Sequence, residues 1–237
     1  MIKAVLFDLD GTLLPMDQDV FVSAYFKRLA QKVAPLGYEA KPLISAIWGG
    51  MAAMVANDGK TTNEDAFWNF FSTVFGPESR KDEPVFTDFY EHEFNEARTS
   101  CGFQPMAAEI VHALKDAGTR VILATNPIFP AVATHNRIRW TGLSPEDFEL
   151  ITTYENIGVC KPNPEYYREI LRRTGLRPEE CLMVGNDAEE DLAAMTCGIP
   201  VFLVTDCLIN KKNVDISVVP NGGFPELKAY LQKEKAC

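Results

Sequence analysis

The 237-residue chain predicts an α/β fold: a mostly parallel sheet with an all-helical segment inserted after the first strand. Three observations carry this. Residues 2–7 (IKAVLF) form a short apolar run stopped by Asp8, with Gly11 close behind, which suits a buried strand better than a helix. Residues 16–100 show helical periods and no strand pattern, and from Gly102 onward helix and strand alternate.

The elements follow in order. Within 16–100, four helical stretches run through Val20 to Leu29, Leu43 to Val55, Phe67 to Val74 and Phe86 to Phe94. Breakers at Pro35-Leu36-Gly37, Asn57-Asp58-Gly59 and Gly76-Pro77 separate them. Trp48-Gly49-Gly50-Met51 reads as a break or kink in the second helix, a place where chain and ligand could approach. More than half of the aromatic residues fall in this segment, where most should pack a small core. Beyond it, helices at Met106–Ala117, Ile128–Trp140, Glu165–Arg173 and Glu189–Thr196 alternate with the strands TRVILAT, FELITTY, CLMVG and PVFLV. The segment DISVVPNGGFPELKAYL adds a last strand and helix. Right-handed crossovers of this length build a Rossmann-like parallel sheet. Residues 1–15 and 101–237 therefore form an α/β core, and 16–100 a helical lid carried on it.

Composition narrows the partners. Lys plus Arg total 23 and Asp plus Glu 33, a formal charge of −10, which argues against nucleic acid and against an anionic membrane surface. The cysteines Cys101, Cys160, Cys181, Cys197, Cys207 and Cys237 form no C-x-x-C pair and read as scattered reduced thiols. With no signal-peptide pattern and no long apolar span, a cytoplasmic protein acting on a small molecule is expected.

Ligands of an open parallel sheet bind beyond the carboxyl ends of its strands. The first strand ends in Asp8-Leu9-Asp10-Gly11-Thr12, and in extended geometry Asp8 and Asp10 share one side. At ~4 Å and an effective dielectric near 20 their repulsion is about 4 kcal/mol, so a proton, a hydrogen-bond cradle or a divalent cation must offset it. Gly11 permits the sharp turn. Thr125-Asn126-Pro127 ends another strand and offers donors suited to phosphate oxygens. Lys161 precedes Pro162, and Asn163-Pro164 starts a helix, placing a cation beside a helix N-terminus. Asp187 and Asp191 stand four apart after CLMVG. Four carboxylates against Lys161 leave a net charge of about −3, which a phosphate dianion tolerates only with a divalent metal; hard oxygen ligands select Mg²⁺.

These residues carry a resemblance. FDLDGTLL at 7–14, LATN at 123–126, Lys161 in CKPNPEYY and VGNDAEEDL at 184–192 resemble the four ordered motifs of the haloacid dehalogenase-like superfamily of Mg²⁺-dependent phosphohydrolases. The helical insertion falls where that family carries its cap. The resemblance implies that Asp8 is the nucleophile that becomes an aspartyl-phosphate. It makes Asp10 the general acid, then base, with a carbonyl on Mg²⁺, and has Thr125 and Lys161 hold the phosphoryl group. Gly11, Thr12 and Asn126 would contact substrate; Asp8, Asp10 and Asp187 would bind metal, supported by Asn186 and Asp191. The family's fourth motif usually runs Gly-Asp, whereas Gly185 here precedes Asn186. In one register Asp187 is the ligand, in the other Asn186; a neutral amide would weaken Mg²⁺ binding, which favours Asp187. The function implied is a phosphatase acting on a small phosphorylated metabolite, with sugar phosphates, phosphoglycolate and nucleotides all open. The alternatives are a sugar phosphomutase or a catalytically silent binding protein on the same scaffold.

Overall fold

The computed structural model describes residues 2–234 and 236. The chain opens with β1 (Ala4–Phe7) and continues through α1 (Gln18–Val33), α2 (Ala40–Val55), α3 (Asn63–Phe75) and α4 (Glu83–Glu91) before α5 (Pro105–Asp116). Then come β2 (Arg120–Leu123), α6 (Ala131–Trp140), β3 (Leu150–Ile151), α7 (Pro164–Thr174), β4 (Cys181–Gly185), β5 (Val201–Val204), β6 (Asn221–Gly222) and α8 (Phe224–Lys233). The six strands form one sheet in the order β3-β2-β1-β4-β5-β6, and every pairing is parallel. This is the expected α/β class.

β1 alternates its side chains between two covered faces, which is why its sequence reads as a continuous apolar run. Val5 and Phe7 pack with α5, α6, α8 and the helices of the insertion. Ala4 and Leu6 pack with Tyr166, Tyr167 and Ile170 of α7. Strand order reverses at β1: later strands add toward β2 on one side and toward β4 on the other. The crevice at that switch point opens beyond Phe7 and Gly185.

The sequence periods locate the long helices well and the short elements less well. α1 is capped by Asp17 and α3 by Thr62, whose side chains accept from Val20 and Asp65 amides. α6 starts at Ala131 rather than 128, because Pro130 sits at its N-cap. The stretch 189–196 is not an α-helix. The Asp187 carboxylate accepts from the Glu189 and Glu190 amides, as a helix cap does, but a single turn follows before a 3₁₀ segment at Leu192–Cys197. β3 and β6 are two-residue edge strands, each with a single neighbour in the sheet.

The glycine pair in α2 does not break the helix, which runs through both residues. Its role is close approach: a Cβ on Gly49 would overlap the Phe70 ring, and one on Gly50 would sit 2.5 Å from the Phe67 ring. α3 thus presses against α2. α3 is also tied to the core, where the Asn63 side chain donates to the Pro127 carbonyl at 3.0 Å and the Glu64 amide to the Tyr154 carbonyl at 2.8 Å. The two crossings between insertion and core lie side by side, with the Gly102 amide donating to the Pro15 carbonyl at 2.7 Å. Cys101, Cys160, Cys181, Cys197 and Cys207 are free thiols; Cys237 lies outside the described residues. Among the described residues, no helix is long and apolar enough to cross a membrane.

Gly50→Ala separates two effects of opposite sign. Alanine gains about 1 kcal/mol of helix propensity, while overpacking a buried interface costs about 1–3 kcal/mol. The clash with Phe67 should prevail, and urea denaturation should show a net loss of roughly 1 kcal/mol.

Candidate active site

Chain direction places the acids. β1 delivers Asp8 to the sheet edge, and the chain turns at once: the Leu9 carbonyl accepts from Thr12 and Leu14, and Gly11 takes φ +85°. Extended geometry therefore does not persist through Asp10, and the two carboxylates find separate cations. The Asp8 carboxylate accepts from Lys161 Nζ at 2.9 Å, while Asp10 Oδ2 pairs with the Arg137 guanidinium. The offset that the spacing demanded comes from two buried cations.

Lys161 is fully buried, held between Asp8 and the buried Asp191, whose Oδ1 lies 2.7 Å from its Nζ. Burial opposes its charge, but Asp191 and Asp8 outweigh that penalty and hold the ammonium well above the usual lysine range. Burial also pushes the Asp8 carboxyl upward, with Lys161 pulling the other way. Asp191 in turn accepts from the Asp187 amide at 2.9 Å through Oδ2, so one carboxylate orients both Lys161 and the fourth-motif backbone. Only glycine fits at 185, since a Cβ there would overlap the Asp191 carboxyl.

The remaining predicted residues divide by role. Asp8, Asp10, Thr125, Asn126, Asn186, Asp187 and Asp191 line one cavity of about 540 Å³. Lys161, Gly11 and Thr12 stand behind its wall. The Thr12 hydroxyl lies 2.9 Å from Asn186 Oδ1 and 3.2 Å from Asp8 Oδ2, and shares one proton between them. The Asn186 amide donates to the Cys207 carbonyl at 2.7 Å, so both ends of its carboxamide are occupied. The Asn126 carboxamide is likewise committed, accepting from the Lys161 amide at 3.2 Å and donating to Glu190 at 3.0 Å. Thr125 lines the cavity, and its carbonyl accepts from Thr152 and Tyr166.

Two residues that the motifs did not flag belong here. Arg137 is fully buried on α6, with its guanidinium carbon 4.2 Å from the Phe129 ring centroid. The signal was its phase: Arg137 falls on the same helical stripe as Ala133, Thr134, Ile138 and Trp140, where a charge demands a partner. Glu190 also lines the cavity, and burial pushes its carboxyl up to about 8 despite the pull of Lys161.

The donor set fits a hard cation. Asp10 Oδ1 is buried with no hydrogen-bond partner among the described residues. Asp8, Asp10, Asp187 and Asp191, set against Lys161 and Arg137, leave two net negative charges at the head of the cavity. All of these donors are oxygens, the chemistry preferred by a small divalent ion.

Comparison with known proteins identifies the family and the fold. A model of the haloacid dehalogenase-like hydrolase family matches residues 2–197. Glyceraldehyde 3-phosphate phosphatase of Methanothermobacter thermautotrophicus is 27% identical over 247 residues, covering 98% of this chain and 100% of its own. A HAD phosphatase from Thermococcus onnurineus superposes with a TM-score of 0.62 at 21% identity, covering 97% of this chain and 98% of its own. A 2-haloacid dehalogenase from Pseudomonas syringae gives 0.63 at 20%, covering 98% and 99%. At such identities the structural likeness speaks for the fold.

Lys161→Met should leave Asp8 and Asp191 buried without their shared cation. The expected cost is about 3–5 kcal/mol, the usual penalty for breaking a buried pair from one side. Urea denaturation should show it as a lower midpoint at unchanged slope, with partial recovery in Lys161→Met/Asp191→Asn.

Proposed function

The chain belongs to the haloacid dehalogenase-like hydrolase family, and on that premise we propose that it is a Mg²⁺-dependent phosphatase. Its substrate is a small phosphomonoester, hydrolysed through an aspartyl-phosphate on Asp8. The observation that carries this reading is the pairing of two carboxylates at the cavity head, each neutralised by its own buried cation. Asp8 is held as a carboxylate facing the cavity by Lys161. Asp10 is anchored through Oδ2 and keeps Oδ1 free. A second acid next to the nucleophile suits the departure of an alcohol, which needs a proton; a halide needs none. The phosphatase relative from Methanothermobacter supports the same choice.

In this reading, Asp10 Oδ1 takes the proton of an entering phosphomonoester monoanion; Asp8 then attacks phosphorus, and the bond to the leaving oxygen breaks as Asp10 Oδ1 gives that oxygen the proton. Asp10, now a carboxylate, takes a proton from water, which attacks the phosphorus of the aspartyl-phosphate. Orthophosphate leaves and Asp8 is restored. The Thr125 hydroxyl donates to a phosphoryl oxygen, and Lys161 balances the charge on Asp8 and on the group it acquires. Arg137 fixes one oxygen of Asp10 so that the other keeps its aim. Asp8, Asp187 and the Asp10 carbonyl, supported by Asn186 and Asp191, would hold Mg²⁺, which would supply charge neutralisation. Residues 16–100 act as the cap over a core of 1–15 and 101–237, excluding water during turnover.

Orthophosphate release from a panel of phosphorylated metabolites, with Mg²⁺ and with EDTA, tests the proposal. Asp8→Asn should abolish release, by roughly 10⁴-fold or more as for loss of other covalent nucleophiles, while leaving the far-ultraviolet dichroism unchanged. Turnover surviving in that variant would overturn the mechanism.

The choice between Asp187 and Asn186 has its own measurement. Asp187→Asn should raise the Mg²⁺ concentration needed for half-maximal activity by roughly 10–100-fold, and Asn186→Ala should change it much less.

A further inference from the structure

The cavity that begins at Asp8 does not end at the phosphoryl site. It continues between the helices of the insertion, and the chemistry of its wall changes along the way. Near Asp10 it is bounded by Phe129, Tyr25 and Tyr90. The two tyrosine hydroxyls lie 2.8 Å apart, one donating to the other, so a single O–H of the pair is left to meet a ligand. Farther out the wall includes Phe26, Trp48, Met51 and Phe67, with Trp68 Nε1 buried and unpartnered among the described residues. Trp48 is 44% exposed although it stands in the cavity wall, a large apolar side chain left half open to water.

The lining charge on this distal wall is acidic, with Arg80 pairing Glu83 from outside the cavity at 3.4 Å. Among its described lining residues, α1 and α4 contribute Asp19 and Glu83, and the insertion contributes no lysine or arginine; Lys211 is the lining cation and belongs to a core loop. A second phosphate or a carboxylate on the leaving group would meet acids there. A polyhydroxylated sugar would exchange water for aromatic faces.

We infer that the leaving group of the natural substrate is an uncharged, apolar alcohol or phenol: the cavity accepts an alkyl or aryl phosphomonoester in preference to a sugar phosphate or a phosphorylated acid. The inference rests on the phosphatase reading and specifies its substrate class. A volume of about 540 Å³ lies within the range of pockets that enclose a ligand of this size. The residues that choose the substrate are then Phe26, Trp48, Met51 and Phe67, none of which touches the reacting atoms.

The test is a homologous series of ethyl, butyl, hexyl and octyl phosphate, compared with glyceraldehyde 3-phosphate and phosphoglycolate. On the wild-type protein with Mg²⁺, kcat/KM should rise about three- to fourfold per added methylene, the factor expected for burying each one. Octyl phosphate should exceed both polar substrates. A flat series, or preference for either polar substrate, would overturn the inference and leave the phosphatase reading intact. If no phosphomonoester is hydrolysed, the phosphatase reading fails instead, and calorimetric binding to the Asp8→Asn protein decides the inference separately. Octyl phosphate binding more tightly than butyl phosphate supports it, and equal binding overturns it. Met51→Lys adds a cation to the distal wall and should lower the octyl-to-phosphoglycolate ratio of kcat/KM at least tenfold; an unchanged ratio counts against the assignment.

Discussion

A single buried ammonium, Lys161 Nζ, allows the acids of this site to exist together. It lies 2.9 Å from Asp8 and 2.7 Å from Asp191, and without it two largely buried carboxylates would face each other with little water to screen them. The parallel sheet concentrates strand ends at one edge, and those ends carry acids because acids are what the edge chemistry uses. Repulsion among them is the cost of that concentration. It is met locally, by a cation delivered from the start of α7, where Asn163 caps the helix. Asp191 completes the arrangement by binding Lys161 with one oxygen and the Asp187 amide with the other, so charge balance and backbone path are set by the same group.

Arg137 does for Asp10 what Lys161 does for Asp8, with a different outcome. Lys161 touches Asp8 through a single point charge. Arg137 is fixed on α6 by the carbonyl of Ala133, the hydroxyl of Thr134 and the face of Phe129, and it holds one oxygen of Asp10 while leaving the other buried and unpaired. Two neighbouring carboxylates thereby acquire distinct surroundings, the difference on which their proposed roles rest.

The helical insertion is built by close aromatic packing, and the same packing shapes the cavity. Gly49 and Gly50 let α2 approach α3 until the rings of Phe67 and Phe70 fill the space a side chain would take. Neighbouring positions on α2, Trp48 and Met51, then face the cavity. A feature that reads locally as a helix breaker is a packing device, and the residues flanking it become wall. Core and wall therefore come from one set of aromatic residues.

The motifs themselves were legible without coordinates. Asp8 and Asp10 after an apolar run, Thr125 before a proline, Lys161 at a helix start and Asp187 with Asp191 are marked by local chain chemistry. A parallel sheet must then bring those strand ends to one edge. Helix positions followed from periodicity for the same reason, since period and capping are properties of neighbouring residues. Tertiary structure decided what those residues face. Arg137 meets Asp10 across 127 positions, and Lys161 meets Asp8 across 153. The hydroxyls of Tyr25 and Tyr90 meet across 65 positions, and the capped turn at 187–191 passes into a 3₁₀ segment instead of an α-helix. Partners so far apart depend on how helices rotate and pack against the sheet, a choice made by the whole core that no stretch of sequence specifies alone.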